Sequence, residues 1–281
     1  MVWKGSDTMF EEYAAVKPLD PWEIGQYLKR IGYTGSREPV KETLDALIYA
    51  HQCSVPFETL DPHDFGITVD LHPDAVFDKI VRKGRGGYCL ELNGSFYRLL
   101  ISLGFEVRPC LCRVLLGTEE WTHPIDHRTN LVTVGGRTYF CDVGVGGPMP
   151  PAGLDIARED WQDLRGELFR VAPDLPGWRA IRRRTRAGGD LYNENCVAER
   201  TEMLFTTIHC YETDVQFLNQ YMSGNPQALH VQHRILNLRT ADGYRAIWDD
   251  EYKELRDGQI LKTGIGDNLH QILEEKFGIV V

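Results

Sequence analysis

The chain has 281 residues, 42% of them hydrophobic and 26% charged, a composition of soluble globular proteins with length for one large or two to three small domains. Its net charge of −10 argues against a nucleic-acid or anionic-membrane footprint, and no apolar run approaches the ~20 residues of a membrane span. Seven cysteines, an odd number without disulfide-framework spacing, fit reduced thiols. With a polar, acidic stretch from Met1 to Glu12 that lacks a signal-peptide core, they point to the cytoplasm.

The first hundred residues read as mostly helical. Pro21-Trp22 opens a helix behind Asp20 as N-cap, with Ile24, Tyr27, Leu28 and Ile31 on one side and Gly32 as a stop. A second helix runs from Val40 to His51 and a third, short one from Ala75 to Lys83, with Pro56, Pro62 and Pro73 marking loops between them. After Gly104 the pattern changes to short β-branched or aromatic runs: Phe105 to Arg108, Cys112 to Leu116, Leu131 to Val134, Thr138 to Val143, Phe169 to Val171, Trp178 to Arg184 and Leu191 to Cys196. Such a series predicts an antiparallel barrel or sandwich. Arg182-Arg183-Arg184 with Arg186 forms a basic patch that Gly188-Gly189 marks as a solvated hairpin end. The chain becomes mixed from Thr206 and ends in a helix, Asn268 to Phe277, closed by Gly278.

The most informative run is Gly84-Arg85-Gly86-Gly87-Tyr88-Cys89-Leu90-Glu91-Leu92-Asn93. Leu92, Phe96, Leu99, Leu100 and Leu103 recur with the period of a helix buried along one face. Cys89 therefore falls in the first turn, where unpaired N–H groups and the helix dipole favour thiolate over thiol. A lone cysteine on a core helix is more often a small hydrophobe. The case for a nucleophile rests on finding a base and an orienting acid.

A hairpin supplies both. Val134-Gly135-Gly136-Arg137 carries a two-residue turn that needs positive φ at both glycines. Pairing Val134 with Arg137 puts Thr129 opposite Asp142, with His127 diagonal on the same face at ~7–8 Å before the side chains extend. A slip of one residue would separate them. The hairpin thus brings imidazole and carboxylate together, giving a thiol, a base and an orienter. Two rival histidine patterns are weaker. Cys110 and Cys112 with His123 and His127 have zinc-like residue types, but C-x-C lacks the spacing of structural zinc sites, so no metal is expected. His230 and His233 could share a helix face but have no third ligand, and read as surface chemistry of no consequence.

With these residues in place the chain resembles the arylamine N-acetyltransferases, whose pattern is R-G-G-x-C opening a helix, a later His, and an Asp in D-V-G-F-G. The matching positions are Arg85 to Cys89, His127, and Asp142-Val143-Gly144-Val145-Gly146. Val55-Pro56-Phe57-Glu58-Thr59-Leu60, Asn219-Gln220-Tyr221 with Pro226, and Lys276-Phe277-Gly278-Ile279 are similar to further family segments.

The resemblance implies an α+β protein with a cysteine-protease-like catalytic core in three domains. These are a helical bundle over 1–103 carrying the cysteine, an antiparallel β-barrel over 104–205 carrying His and Asp, and an α/β lid over 206–281. It also implies a ping-pong reaction in which Cys89 takes an acyl group from acetyl-CoA or another acyl-CoA and passes it to an arylamine or arylhydrazine. Phe57 and Val145 would line the acceptor pocket and Tyr221 would lie beside the CoA. The protein would act on small molecules as a monomer or weak homo-oligomer, with no nucleic-acid or membrane partner. Val145 departs from the family's aromatic and removes a ring from the pocket wall. Ser223-Gly224-Asn225 lacks the hydroxyl pair usual before the proline. Two other enzyme readings keep the triad: an amide synthase using a carrier-protein or non-acetyl donor, and a thiol hydrolase.

Overall fold

The computed structural model describes residues 16–117, 123–184, 199–256 and 258–281. Helix α1 (Pro21–Arg30) starts as its sequence predicts: the Asp20 carboxylate accepts from the Glu23 N–H at 2.8 Å, and Glu23 accepts from the Asp20 N–H at 3.0 Å. Helix α2 (Lys41–Ser54) turns Leu44, Leu47 and Ile48 inward, and α3 (Cys89–Ser102) buries Leu92, Phe96, Leu99 and Leu100 in the same core. Fully burying each such side chain stabilises the bundle by about 1.5–3 kcal/mol. The third predicted helix is a short α-turn, Pro73–Phe77, continued as a π-turn over Asp78–Arg82. Arg30 at the end of α1 donates to the carbonyls of Ser54, Ile80 and Gly84, so the glycine run before Cys89 is anchored to two helices.

Strand β1 (Phe57–Glu58) leaves this bundle to join a distant sheet, described below. The barrel sheet is antiparallel throughout and contains β2 (Glu106–Val114), β3 (His127–Val134), β4 (Arg137–Cys141), β5 (Leu154–Asp155), β6 (Gln162–Leu164), β7 (Glu167–Pro173), β8 (Arg179–Arg184) and β9 (Arg200–Phe205). Its order is β5-β4-β3-β2-β9-β8-β7-β6, and β5 also packs beside β7, so the sheet curls nearly closed. Phe140, Phe169, Val171, Ile181, Met203 and Phe205 fill the interior.

Two expectations are corrected here. Phe105–Arg108 and Cys112–Leu116 are not two strands but one, β2, which runs through Pro109. The Pro109 carbonyl accepts from Cys210 N–H, so its nitrogen faces the side beyond the end of β9 and forfeits no ladder bond. The strand expected over Trp178–Arg184 forms as β8, but its arginines are not all solvated: Arg183, with Arg200 of β9, both buried, donates to one oxygen of buried Glu202 at 2.6 and 2.7 Å. Two guanidinium groups compensate a carboxylate that could not be buried alone. Arg186, Gly188-Gly189 and the predicted strand Leu191–Cys196 lie outside the described residues.

Helix α4 (Asp214–Gly224) leads into the second sheet, formed by β10 (Ile235–Arg239), β11 (Gly243–Trp248), β12 (Glu251–Arg256) and β13 (Gln259–Gly264) in the order β1-β10-β11-β12-β13. The closing helix is a 3-10 turn over Gly266–Asn268, an α-turn over Leu269–Ile272 and a π-turn over Leu273–Phe277, ended by Gly278 at φ +68°. Among the described residues no helix is long and apolar enough to cross a membrane.

Candidate active site

The glycine run is dictated by close approach. The backbones of Phe57 and Gly87 form a β-bridge, and a Cβ on Gly86 would lie 2.1 Å from the Pro56 carbonyl oxygen, which no side chain tolerates. Pressed against β1, the run delivers Cys89 as the first residue of α3, the first-turn position its sequence predicts. The thiol is 3% exposed and lies 3.7 Å from the Asp126 carbonyl oxygen.

The Gly135-Gly136 turn has φ of +58° and +74°, and the ladder runs from Val134 opposite Arg137 to Asn130 opposite Cys141. One further step puts Thr129 opposite Asp142, the register expected from sequence. His127 Nε2 lies 2.5 Å from Asp142 Oδ2, with both side chains almost wholly buried. Asp142 engages Nε2, which leaves Nδ1 as the nitrogen free to serve Cys89.

Asn93, one turn along α3 from Cys89, completes the cluster and was given no role from sequence. Its Nδ2 donates to the Arg128 carbonyl at 2.7 Å and to Asp142 Oδ2 at 3.2 Å, and lies 3.3 Å from His127 Nε2. Its Oδ1 accepts from Val143 N–H at 3.0 Å, while Asp142 Oδ1 accepts from Gly144 N–H at 2.9 Å. The signal was present: Asn93 follows Cys89 by four residues and shares its helix face.

These neighbours set the charges. Burial alone would raise the Asp142 carboxyl, but the His127 charge and hydrogen bond, with the Gly144 N–H, bring it below its ordinary value. Burial would lower His127, but Asp142 outweighs it and holds the imidazole well above its usual range. Burial pushes the Cys89 thiol up, and His127 only partly pulls it back. The thiolate that the helix terminus would favour is therefore opposed by desolvation, and His127 is its main counterweight.

A cavity of about 240 Å³ opens onto Cys89 and His127. Phe57 and Val145 line it, the latter also packing in the barrel core with Phe205 and Phe140. Its far wall is the face of the second sheet, where Phe57, Asn237, Ala246 and Lys253 stand opposite one another on successive strands. Gly146, at φ +65°, passes so close that a Cβ there would lie 2.5 Å from the Asn237 carbonyl oxygen.

Tyr221 is 55% exposed on α4 and is not among the residues lining the cavity. Its neighbour Asn219 points inward instead, accepting from the Tyr88 hydroxyl and donating to the Val69 carbonyl at 2.9 Å. His230 also departs from expectation. It lines the cavity rather than the surface, with its ring 5.5 Å from Tyr88 and 6.1 Å from Phe57. His233 pairs with Asp249 at 2.9 Å and points elsewhere. The two histidines diverge because Leu229–Gln232 is a single turn that ends before His233. Among the described residues no group of three or more His, Cys, Asp or Glu is arranged to hold a metal ion.

A family model described as N-acetyltransferase matches residues 41–281. The arylamine N-acetyltransferase of Mycobacterium tuberculosis is 31% identical over 271 residues, covering 92% of this chain and 90% of its own length. The arylamine N-acetyltransferase / N-hydroxyarylamine O-acetyltransferase of Salmonella typhimurium is 29% identical, covering 86% and 84%. Among solved structures, Mycobacterium marinum arylamine N-acetyltransferase in complex with CoA superposes with a TM-score of 0.81 at 28% identity, covering 91% of this chain and 92% of that one.

Proposed function

The chain belongs to the arylamine N-acetyltransferase family and is an acetyltransferase, and from its buried cluster we propose a ping-pong reaction through an acyl-cysteine. The carrying observation is that the apolar cavity opens onto Cys89 and His127 together, with His127 fixed by Asp142.

In the first half, Cys89 Sγ attacks the thioester carbonyl carbon of an acyl-CoA as its proton passes to His127. The carbon–sulfur bond to CoA breaks, the CoA thiolate takes that proton, and the acyl group remains on Cys89. In the second half, the amine nitrogen of an arylamine or arylhydrazine attacks the same carbonyl carbon. His127 accepts a proton from the nitrogen, the carbon–Sγ bond breaks as the amide forms, and that proton passes from His127 to the departing Cys89 sulfur. Asp142 holds the imidazole by Nε2 and stabilises its charged form, without itself being protonated. Phe57 and Val145 form the acceptor wall, and the apolar lining limits the water that could hydrolyse the acyl-cysteine. Tyr221, on the outer face of α4, is assigned to the CoA side.

Incubation with acetyl-CoA alone, followed by the intact mass of the chain, tests this reading. A single acetyl group on the peptide holding Cys89, discharged by an arylamine, is the expected result. Steady release of free CoA without amine dependence would instead favour a thiol hydrolase.

A further inference from the structure

The chemistry above leaves several polar side chains of the cavity unused; Asp126 pairs with His123 and Lys253 with Glu251, while two others have no such partner. His230, on the short helix Leu229–Gln232, presents its ring to the cavity between Tyr88 and Phe57 and makes no hydrogen bond to any described residue. Asn237, on β10, lines the same cavity, is 6% exposed, and its side-chain amide likewise has no hydrogen-bond partner among the described residues. Both stand on well-fixed backbone. The Val231 carbonyl engages His63 Nδ1 at 3.0 Å, and Asn237 sits between Phe57 and Ala246 in the sheet.

Polar groups so enclosed must be hydrated while the cavity is empty. A ring that enters displaces that water. If the ring is hydrocarbon alone, an imidazole and an amide lose their partners, at the cost of leaving enclosed donors and acceptors unmade. If the ring carries a hydroxyl, the loss is made good. Sites with such groups reject the analogue that lacks the matching polar atom far more strongly than apolar pockets reject a misplaced methyl.

Resting on the acceptor role proposed for this cavity, we propose that His230 and Asn237 are specificity-determining residues that recognise a hydroxyl substituent on the ring of the acceptor, so that hydroxylated arylamines are preferred over their hydrocarbon counterparts. His230 suits this role because burial, reinforced by the nearby His127 charge and only partly countered by Asp126, holds its pKa down to about 4. The imidazole is then neutral at neutral pH, offering one donor and one acceptor nitrogen, and it adds no positive charge to repel His127.

The test pairs each aminophenol isomer with the methylaniline isomer of the same ring position, which has nearly the same size. Ligand-observed NMR titration of the resting protein gives their affinity ratio without any chemistry. Discharge of the acetyl-enzyme gives the corresponding kcat/KM ratio. The wild-type protein should favour the hydroxylated member of at least one pair, and His230→Phe should cut that preference by about five- to tenfold, the worth of one hydrogen bond. His230→Gln, which keeps a donor and an acceptor, should restore most of it. Asn237→Ala should lower it independently, and melting temperatures identify any variant that fails to fold. Affinity ratios unchanged in His230→Phe and Asn237→Ala for all three isomer pairs would overturn the proposal. A protein that forms no acetyl adduct yet shows the His230-dependent affinity ratio would keep this inference and lose the ping-pong reading. The converse result would do the opposite.

Discussion

The two ends of the cavity are built on opposite principles. At the Cys89 end, both carboxylate oxygens of Asp142 and both ends of the Asn93 amide are engaged by named partners. On the far wall, His230 and Asn237 face the cavity with no protein partner among the described residues. A fully satisfied buried network is rigid, and any partly broken version is costly, so it fixes one geometry. Groups that hydrogen-bond only to what enters impose no such penalty on the fold. On the proposed mechanism, reaction geometry and acceptor choice are separable: substitutions at the first end should change rate for every acceptor, and those at the second should change ratios between acceptors.

The largest effect expected is at Cys89, the proposed nucleophile. Cys89→Ala should abolish the acetyl adduct and lower turnover by at least about four orders of magnitude, as nucleophile removal does elsewhere. Little packing is lost, so the melting temperature should stay near that of the parent. An adduct that persists on Cys53 or Cys112 would remove Cys89 from its role.

The next test concerns activation. Burial raises the Cys89 thiol and His127 pulls it down, so His127→Gln leaves burial unopposed. The pH profile of iodoacetamide inactivation should then shift to higher pH, with alkylation near neutrality slowed by at least about tenfold. If the two profiles coincide, His127 does not activate the thiol. A smaller, uniform loss is expected at Asn93. Asn93→Ala removes hydrogen bonds to a charged carboxylate and to the backbone beside it, worth about 1.5–3 kcal/mol each. Values of kcat/KM should fall about ten- to a hundredfold for small and bulky acceptors alike. A change confined to one acceptor class would show that Asn93 belongs functionally to the far wall.

How much of this could be read from the sequence follows the same divide. Cys89, His127 and Asp142 were legible because each is fixed by local rules: a helix start, a two-glycine turn, and a period-two register that carries His127 and Asp142 onto one face. Asn93 was legible in principle, since four residues on a helix is also a local relation. Of the far wall only Phe57 was named as pocket lining, through the family resemblance. The wall's residues come from β1, β10, β11, β12 and the turn Leu229–Gln232, and the pairing of Phe57 with Asn237 joins positions 57 and 237 across most of the chain. No short-range pattern encodes that contact, so His230 read as a surface residue and Asn237 drew no attention. The break expected between Arg108 and Cys112, and the solvation expected of Arg183, failed for a related reason. Proline and charge are strong local signals, but here the end of a neighbouring strand and a buried Glu202 decide the outcome.

Val145 sits where the two ends meet, and it gives the smallest and sharpest of the tests. It follows the Asp142-Val143-Gly144 turn, lines the cavity, and packs in the barrel core with Phe205 and Phe140. If its cavity face dominates, Val145→Phe fills acceptor space. The ratio of kcat/KM for bulky over small arylamines should then fall, by about ten- to two-hundredfold at most, the range a hydrophobic pocket achieves per group. If its core face dominates, the added ring meets side chains already at van der Waals contact. Overpacking of that kind costs about 1–3 kcal/mol, so the melting temperature and all activities should fall together. Val145 is only 7% exposed, so a phenylalanine there must extend into the cavity or displace the barrel core. The cavity is the emptier direction and the barrel interior is close-packed, which makes the change in ratio the expected outcome. An unchanged ratio with full stability would mean that the residue at this position does not border the acceptor, and the boundary between the two ends would have to be drawn closer to Phe57.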